Sequence, residues 1–287
     1  MKKINLLFAF LFFSNCLIAQ NHRFIYEYSF KIDSLNKDNI TKELMNLDVS
    51  RDGSIFYSSE KFVYDSLTNA EFTKAKAIQS THIDLGKIRN NSKVSFSVSK
   101  NYQKSDTKLH TSINGDKYEI PESENIKWTI VSENSVIEGY KVQKATTNYL
   151  GRKWIAWFTN DIQIQDGPYK FKGLPGLILK ISDEKNDHIF NFVGSKKINH
   201  FPSNSDFDDE KELTISATKF NQLWKDYVKD PAKKIKLIYA SSEVSNITVT
   251  DASGKTLTQS EVIRNKEQRV KDNLKKTNNF LELSLYK

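Results

Sequence analysis

Cysteine is almost absent: the only one of 287 residues is Cys16. A chain with so little cysteine is not held by disulfides and offers no thiol catalysis beyond that position. Proline is scarce, with five residues, and no low-complexity tract separates one part of the chain from another. No apolar run reaches the roughly 20 residues that cross a bilayer as a helix. The five histidines, His22, His82, His110, His188 and His200, stand nowhere at metal-ligand spacing. His188 follows Asp187 and reads as a turn residue at a strand start. No Gly-x-Ser-x-Gly elbow occurs, and Ser195 after Gly194 leads only into Lys196-Lys197. The carboxylate pairs Asp183-Glu184 and Asp208-Asp209-Glu210 read as solvated turn charge. These absences lead to an expectation of no metal, no cofactor and no catalytic residues.

What is present begins with a leader. Met1-Lys2-Lys3 precedes Ile4–Phe13, apolar except for Asn5, and a small residue follows at Ala19. This is the layout of a secretory signal peptide cleaved after Ala19. A rival reading makes Cys16 a lipid anchor, but Asn15 before it is not a small residue. The expected location is periplasmic or secreted. Removing 19 residues from 287 leaves 268, enough for one β-rich domain spanning 20–287 with its own core. The net charge is +8, of which Lys2 and Lys3 supply two. The remaining lysines are scattered (Lys74, Lys93, Lys100, Lys104, Lys233, Lys236), which describes a solvated surface rather than a nucleic-acid-binding arm. The most such a surface implies is peripheral contact with anionic lipid or an acidic partner.

Residues 24–32 alternate cleanly, with Phe24, Tyr26, Tyr28, Phe30 and Ile32 on one side. That is a strand with one buried face. Further strands are expected over 43–50, 54–64, 94–103, 117–120, 127–131, 140–150, 153–159, 177–182 and 188–193. Turn-forming Arg51-Asp52-Gly53, Asn114-Gly115-Asp116 and Leu150-Gly151-Arg152 separate some of them. Helices are expected at 216–229, where Ala217, Phe220, Leu223, Trp224 and Tyr227 share a face, and at 259–275 with a thin apolar stripe. Residues 69–79 form a weaker candidate. The fold class is therefore mainly β (α+β), a curved antiparallel meander sheet or half-barrel with two or three helices packed on it.

Residues 151–182 carry an aromatic-rich hairpin, with Trp154 and Ala156 on one face and Ile155 and Trp157 on the other. Its connection holds two turns, Asp166-Gly167-Pro168 and Gly173-Leu174-Pro175-Gly176. Pro175 followed by Gly176 predicts a type II turn. Trp154, Trp157, Phe158, Tyr169 and Phe171 are either core or the lining of an apolar groove.

Gly173-Leu174-Pro175-Gly176-Leu177-Ile178 resembles the signature of the GLPGLI family of exported Bacteroidota proteins. The similarity extends to Tyr140, Lys144-Ala145, Gly151-Arg152, Ala156-Trp157-Phe158, Asp166 to Phe171 and Leu281-Glu282-Leu283, with Gln163 standing where relatives often have proline. The resemblance implies export and an envelope role and names no reaction. Asp33-Ser34-Leu35 and Asp65-Ser66-Leu67 look like the O-glycosylation acceptors of such proteins, at Ser34 and Ser66. The functional expectation is a non-enzymatic binding or chaperone-like protein whose groove takes a lipid, a peptide or an outer-membrane client. Its alternatives are an accessory partner of an outer-membrane (TonB-dependent) transporter and a hydrolase with dispersed catalytic residues.

Overall fold

The computed structural model describes residues 21–286 except 81, 82, 84, 123, 203–210, 242–248 and 251–253. The expected leader with Cys16, His82 and the acidic run Asp208-Asp209-Glu210 lie outside the described residues. Period-two alternation builds strand β1 (Asn21–Lys31), whose Phe24, Tyr26 and Tyr28 are buried on one face. A meander follows: β2 (Ile40–Val49), β3 (Gly53–Ser58), β4 (Ser97–Asn101), β5 (Asp106–Ile113) and β6 (Asp116–Pro121). A second meander comprises β7 (Thr129–Ile137), β8 (Tyr140–Tyr149), β9 (Arg152–Thr159), β10 (Leu177–Asp183) and β11 (His188–Ile198). Antiparallel pairing of β1 with β11, from Asn21↔Ile198 to Phe30↔His188, fuses the two. With β12 (Leu213–Thr214) parallel to β6, the result is one 12-stranded sheet that curves without closing. The mainly β, curved antiparallel class is as the alternation predicts.

Register lines up the inner face. Phe24, Leu47, Phe56, Val98, Leu109 and Ile120 are successive cross-strand neighbours, and Phe190, Ile181, Ala156 and Ala145 continue the face across the other half. All ten are buried. Each of the larger side chains contributes about 1.5–3 kcal/mol by leaving water. Tyr28 stacks on Phe190 with centroids 4.2 Å apart, stitching the seam between the two meanders.

Among the described residues, five helices accompany the sheet: α1 (Ser59–Ala77), α2 (Ala217–Lys229), α3 (Lys233–Ala240), α4 (Gln259–Lys276) and α5 (Leu283–Tyr286). α2 docks through Phe220, edge-on to Tyr118 of β6 and Tyr286 of α5. α4 starts with a capping box, Thr258 with Glu261, and buries only Val270, as its thin stripe predicts. Three expectations need correction. The strand foreseen over 54–64 ends at Ser58, whose hydroxyl caps α1 by accepting from Lys61 N at 3.0 Å. The helix thus begins ten residues before Asn69, supported by a Lys61–Asp65 pair one turn apart. Strand β5 carries polar residues on its outer face and gave no clear alternation. The short helices α3 and α5 also escaped notice, being eight and four residues long.

Candidate functional site

β9 and β10 do pair, Thr159 opposite Leu177, but residues 160–176 between them are not a simple hairpin end. The connection packs on the inner face through Phe171, edge-on to Trp154 and Tyr149, and Tyr169, edge-on to Phe96. Its second turn is tighter than type II: Gly176 N–H donates to Leu174 C=O at 2.8 Å, a γ-turn centred on Pro175. Gly176 has φ +148°, and a Cβ there would sit 1.9 Å from the Thr159 carbonyl oxygen. Glycine is therefore required by close backbone approach as well as by conformation. In the first turn the left-handed residue is Tyr169, at φ +52°.

Asp166, in that connection, is wholly buried and pairs with Lys100 of β4, also wholly buried. Ser54 and Tyr102 each donate a hydroxyl to Asp166 Oδ2 at 2.5 Å. Lys100 Nζ also donates to the carbonyls of Gly167 at 2.7 Å and Phe171 at 3.2 Å. Burial holds the Lys100 ammonium below its ordinary pKa, opposed by Asp166. A second buried cation, Lys170, bonds Glu282 at 2.6 Å and Glu122 at 3.0 Å, and Tyr169 OH donates to Glu282 at 2.8 Å. Burial, and then the Glu282 charge, push the Tyr169 hydroxyl well above its ordinary pKa. A third, Arg152, bonds Asp183 at 3.0 Å and reaches Asn279 Oδ1 and the carbonyls of Phe280 and Leu281. The connection is thus pinned to β3 and β4, and the C-terminal segment is strapped over the sheet.

The five aromatic candidates divide accordingly. Trp154, Phe158, Tyr169 and Phe171 are buried, and Trp154 meets Phe171 edge-on at 4.7 Å while donating its Nε1–H to Tyr149 C=O. These four are core. Trp157 faces outward, half-buried, with Lys144 Nζ 5.7 Å from its ring centroid. Asp166, Gly167, Pro168, Gly173, Pro175 and Gly176 all belong to the pinned connection. Ser34 is exposed in a loop, and Ser66 is half-buried on α1 beside the buried, paired Asp65.

An open apolar cavity of about 270 Å³ remains between the sheet and the C-terminal strap. The half-buried Phe30, Ile32, Phe96, Phe280 and Tyr286 line it, with Lys93, Ser95 and Thr277 exposed among its walls. A shallower cleft of about 590 Å³ lies at the other side of the connection, between Gln163, Gln165 and Gly173 and the Asn101–Tyr102 end of β4. His188 also borders the cavity and is not a surface turn residue. It is 1% exposed, and its Nδ1 lies 2.7 Å from Tyr28 OH. Burial, with Arg152 and Lys31 nearby, holds its pKa down at about 3, against the opposing backbone of Asn279 and Phe280.

The fold also assembles a constellation that spacing could not show. His110 on β5 has Ser99 Oγ 2.8 Å from Nε2 and Glu212 Oε2 2.7 Å from Nδ1. Glu119, its cross-strand neighbour on β6, completes a group whose donor atoms lie within 4.8 Å of one another. Lys108 and Thr214 both donate to Glu119 Oε1, at 2.9 and 3.1 Å. The one legible signal for the inner cluster was Lys100 itself, two residues from Val98 and so on the apolar side of its strand.

Residues 150–180 match the model of a family described as "Protein of unknown function (Porph_ging)". The match covers the segment that holds Arg152, Trp154 and the pinned connection, and associates it with an uncharacterised family of Bacteroidota type. No curated protein matches the chain. The fold is similar to two crystal structures of PNGF-II, in space groups P21 and C2, each with TM-score 0.50 and at 17% and 18% identity. Each similarity covers 71% of this chain and 33% or 32% of PNGF-II, so the chain spans about a third of that protein's length. At this identity the likeness is one of fold.

Proposed function

We propose that the chain is an exported, non-enzymatic binding protein of the GLPGLI type that shelters a small apolar molecule beneath its C-terminal strap. One observation carries the reading: a 270 Å³ opening between the sheet and the strap, walled by Phe30, Ile32, Phe96, Phe280 and Tyr286. An apolar cavity of about 150 Å³ accepts benzene. The one here has room for a two-ring aromatic or an acyl end of roughly ten carbons on the same scale. An unfolded outer-membrane segment is a poor fit, because Tyr169 and Phe171 of the connection already pack on the inner face. Native mass spectrometry of protein from the original host, with extraction of anything carried, tests the reading. Ser95→Phe at the exposed wall is expected to expel the adduct while the fold, followed by circular dichroism, stays intact. Protein that arrives empty and binds neither naphthalene nor decanoate refutes it.

A second reading rests on Ser99, His110 and Glu212, whose contacts follow the order of a nucleophile, a base and an orienting carboxylate. It is the weaker reading because Ser99 lies within β4, whose backbone N–H groups are engaged in ladders with β3 on one side and β5 on the other. Ser99 also does not line the pocket of about 120 Å³ that His110 and Glu212 border. A fluorophosphonate probe labels Ser99 if this reading holds.

A further inference from the structure

The carboxylates around His110 have more acceptor capacity than their partners use. Glu119 spends Oε1 on Lys108 and Thr214, and Glu212 spends Oε2 on His110. Among the described residues, the second oxygen of each accepts no hydrogen bond. One ligand atom of each of the three residues lies within 4.8 Å of the others, and all three side chains are half-buried rather than fully solvated. Three separate stretches deliver them. His110 and Glu119 are directly opposite on β5 and β6, and Glu212 is set by β12, which runs parallel to β6 with Thr214 beside Glu119. Ser99 sits at the far nitrogen, Nε2, at 2.8 Å. A metal-bound imidazole characteristically donates its other N–H to such a partner, which fixes the tautomer and the ring plane. A half-open polar pocket of about 120 Å³ adjoins His110 and Glu212, giving an ion both an entry path and solvent for its remaining positions.

We propose that His110 Nδ1, Glu119 and Glu212 bind a divalent transition metal of the zinc class. One nitrogen and two carboxylates with open positions suit zinc, iron or cobalt better than calcium, which takes six to eight oxygens. Binding displaces the proton now shared between His110 Nδ1 and Glu212, and the 2.7 Å contact widens to roughly 3.3 Å to admit an ion bonded at about 2.0 Å. The cation adds to the positive charge that Lys108 sets against Glu119 by a hydrogen bond and against Glu212 at longer range. It also ties the two-residue strand β12 to the sheet, so its effect is read in stability and in local order.

The test uses the full chain after chelator treatment. Calorimetric titration with Zn²⁺ is expected to give one saturable equivalent and a higher Tm. Co²⁺ is expected to show ligand-field absorption of a low-coordinate N/O site. Glu212→Gln, half-exposed and so tolerated by the fold, removes the equivalent. Ser99→Ala, which leaves the three ligands in place, weakens it by about 10-fold or more. Nitrogen-15 shifts of His110 report metal on Nδ1 and a proton on Nε2. The inference is overturned if no equivalent saturates, if Glu212→Gln binds Zn²⁺ unchanged, if Ca²⁺ competes equally, or if Ser99 carries the hydrogen toward Nε2 in the presence of Zn²⁺.

Discussion

Asp166 and Lys100 make the sharpest energetic claim. Both side chains are fully withdrawn from water, and the carboxylate also receives hydroxyls from Ser54 and Tyr102 and the Gly167 N–H at 2.6 Å. Asp166→Asn keeps the shape but turns one of the two acceptor oxygens into an NH2 donor and leaves the ammonium facing two carbonyls with no counter-charge. Breaking a buried pair on one side costs about 3–5 kcal/mol. Lys100→Met strands the carboxylate and is expected to cost a similar amount. The double variant removes both charges, and its loss should fall short of the sum of the singles by at least about 2 kcal/mol. Urea unfolding at neutral pH, followed by tryptophan fluorescence, measures all three. With a slope of about 2–3 kcal/mol per molar urea, each single variant lowers the midpoint by roughly 1.5 M. Single losses below about 1 kcal/mol, or a strictly additive double, refute the reasoning that this ion pair pins the connection.

Other outcomes follow from the same geometry. Gly176→Ala, whose methyl would meet the Thr159 carbonyl, is expected to cost at least about 3 kcal/mol. Gly173→Ala, at φ +90° in open space, should cost only about 1–2 kcal/mol, so equal thermal losses would contradict the steric account. His188 stays neutral when folded, while in the unfolded chain it takes a proton below pH 6.5. Stability tied to it is therefore present above pH 6.5 and lost as pH falls toward 3, by about 2 kcal/mol between pH 7 and 5. His188→Asn, which retains an acceptor for Tyr28 OH, should flatten that part of the pH–stability curve, and an unchanged slope would assign it elsewhere.

Strand order was legible where one face is apolar and the other wet, as in β1, β8 and β9. It was lost where a strand ends in a cap, as at Ser58, because alternation says nothing about where a hydroxyl turns the chain into a helix. The aromatics at 154, 158, 169 and 171 were identifiable as a packed set, but not that residues 160–176 would be the material they pack against. Register shows only that Lys100 faces inward, while Arg152 and Lys170 look like surface cations by composition. Only the third dimension supplies their partners, 66, 31 and 112 residues away in sequence. His110 and Glu212 are 102 residues apart, beyond the reach of any spacing rule.

The seam between β1 and β11 has a kinetic consequence. Phe30 meets His188 and Asn21 meets Ile198, so the middle of the sheet is the strand pairing of highest sequence separation. Until residue 188 is available, β1 has a neighbour on one side only. Its open side carries the backbone donors and acceptors next to Phe24, Tyr26 and Tyr28. Such topology closes late and slowly, because loop entropy must be overcome before the long-range pairing gives any return. A chain interrupted before its eleventh strand would therefore present an aromatic ribbon ready to add a strand from another molecule.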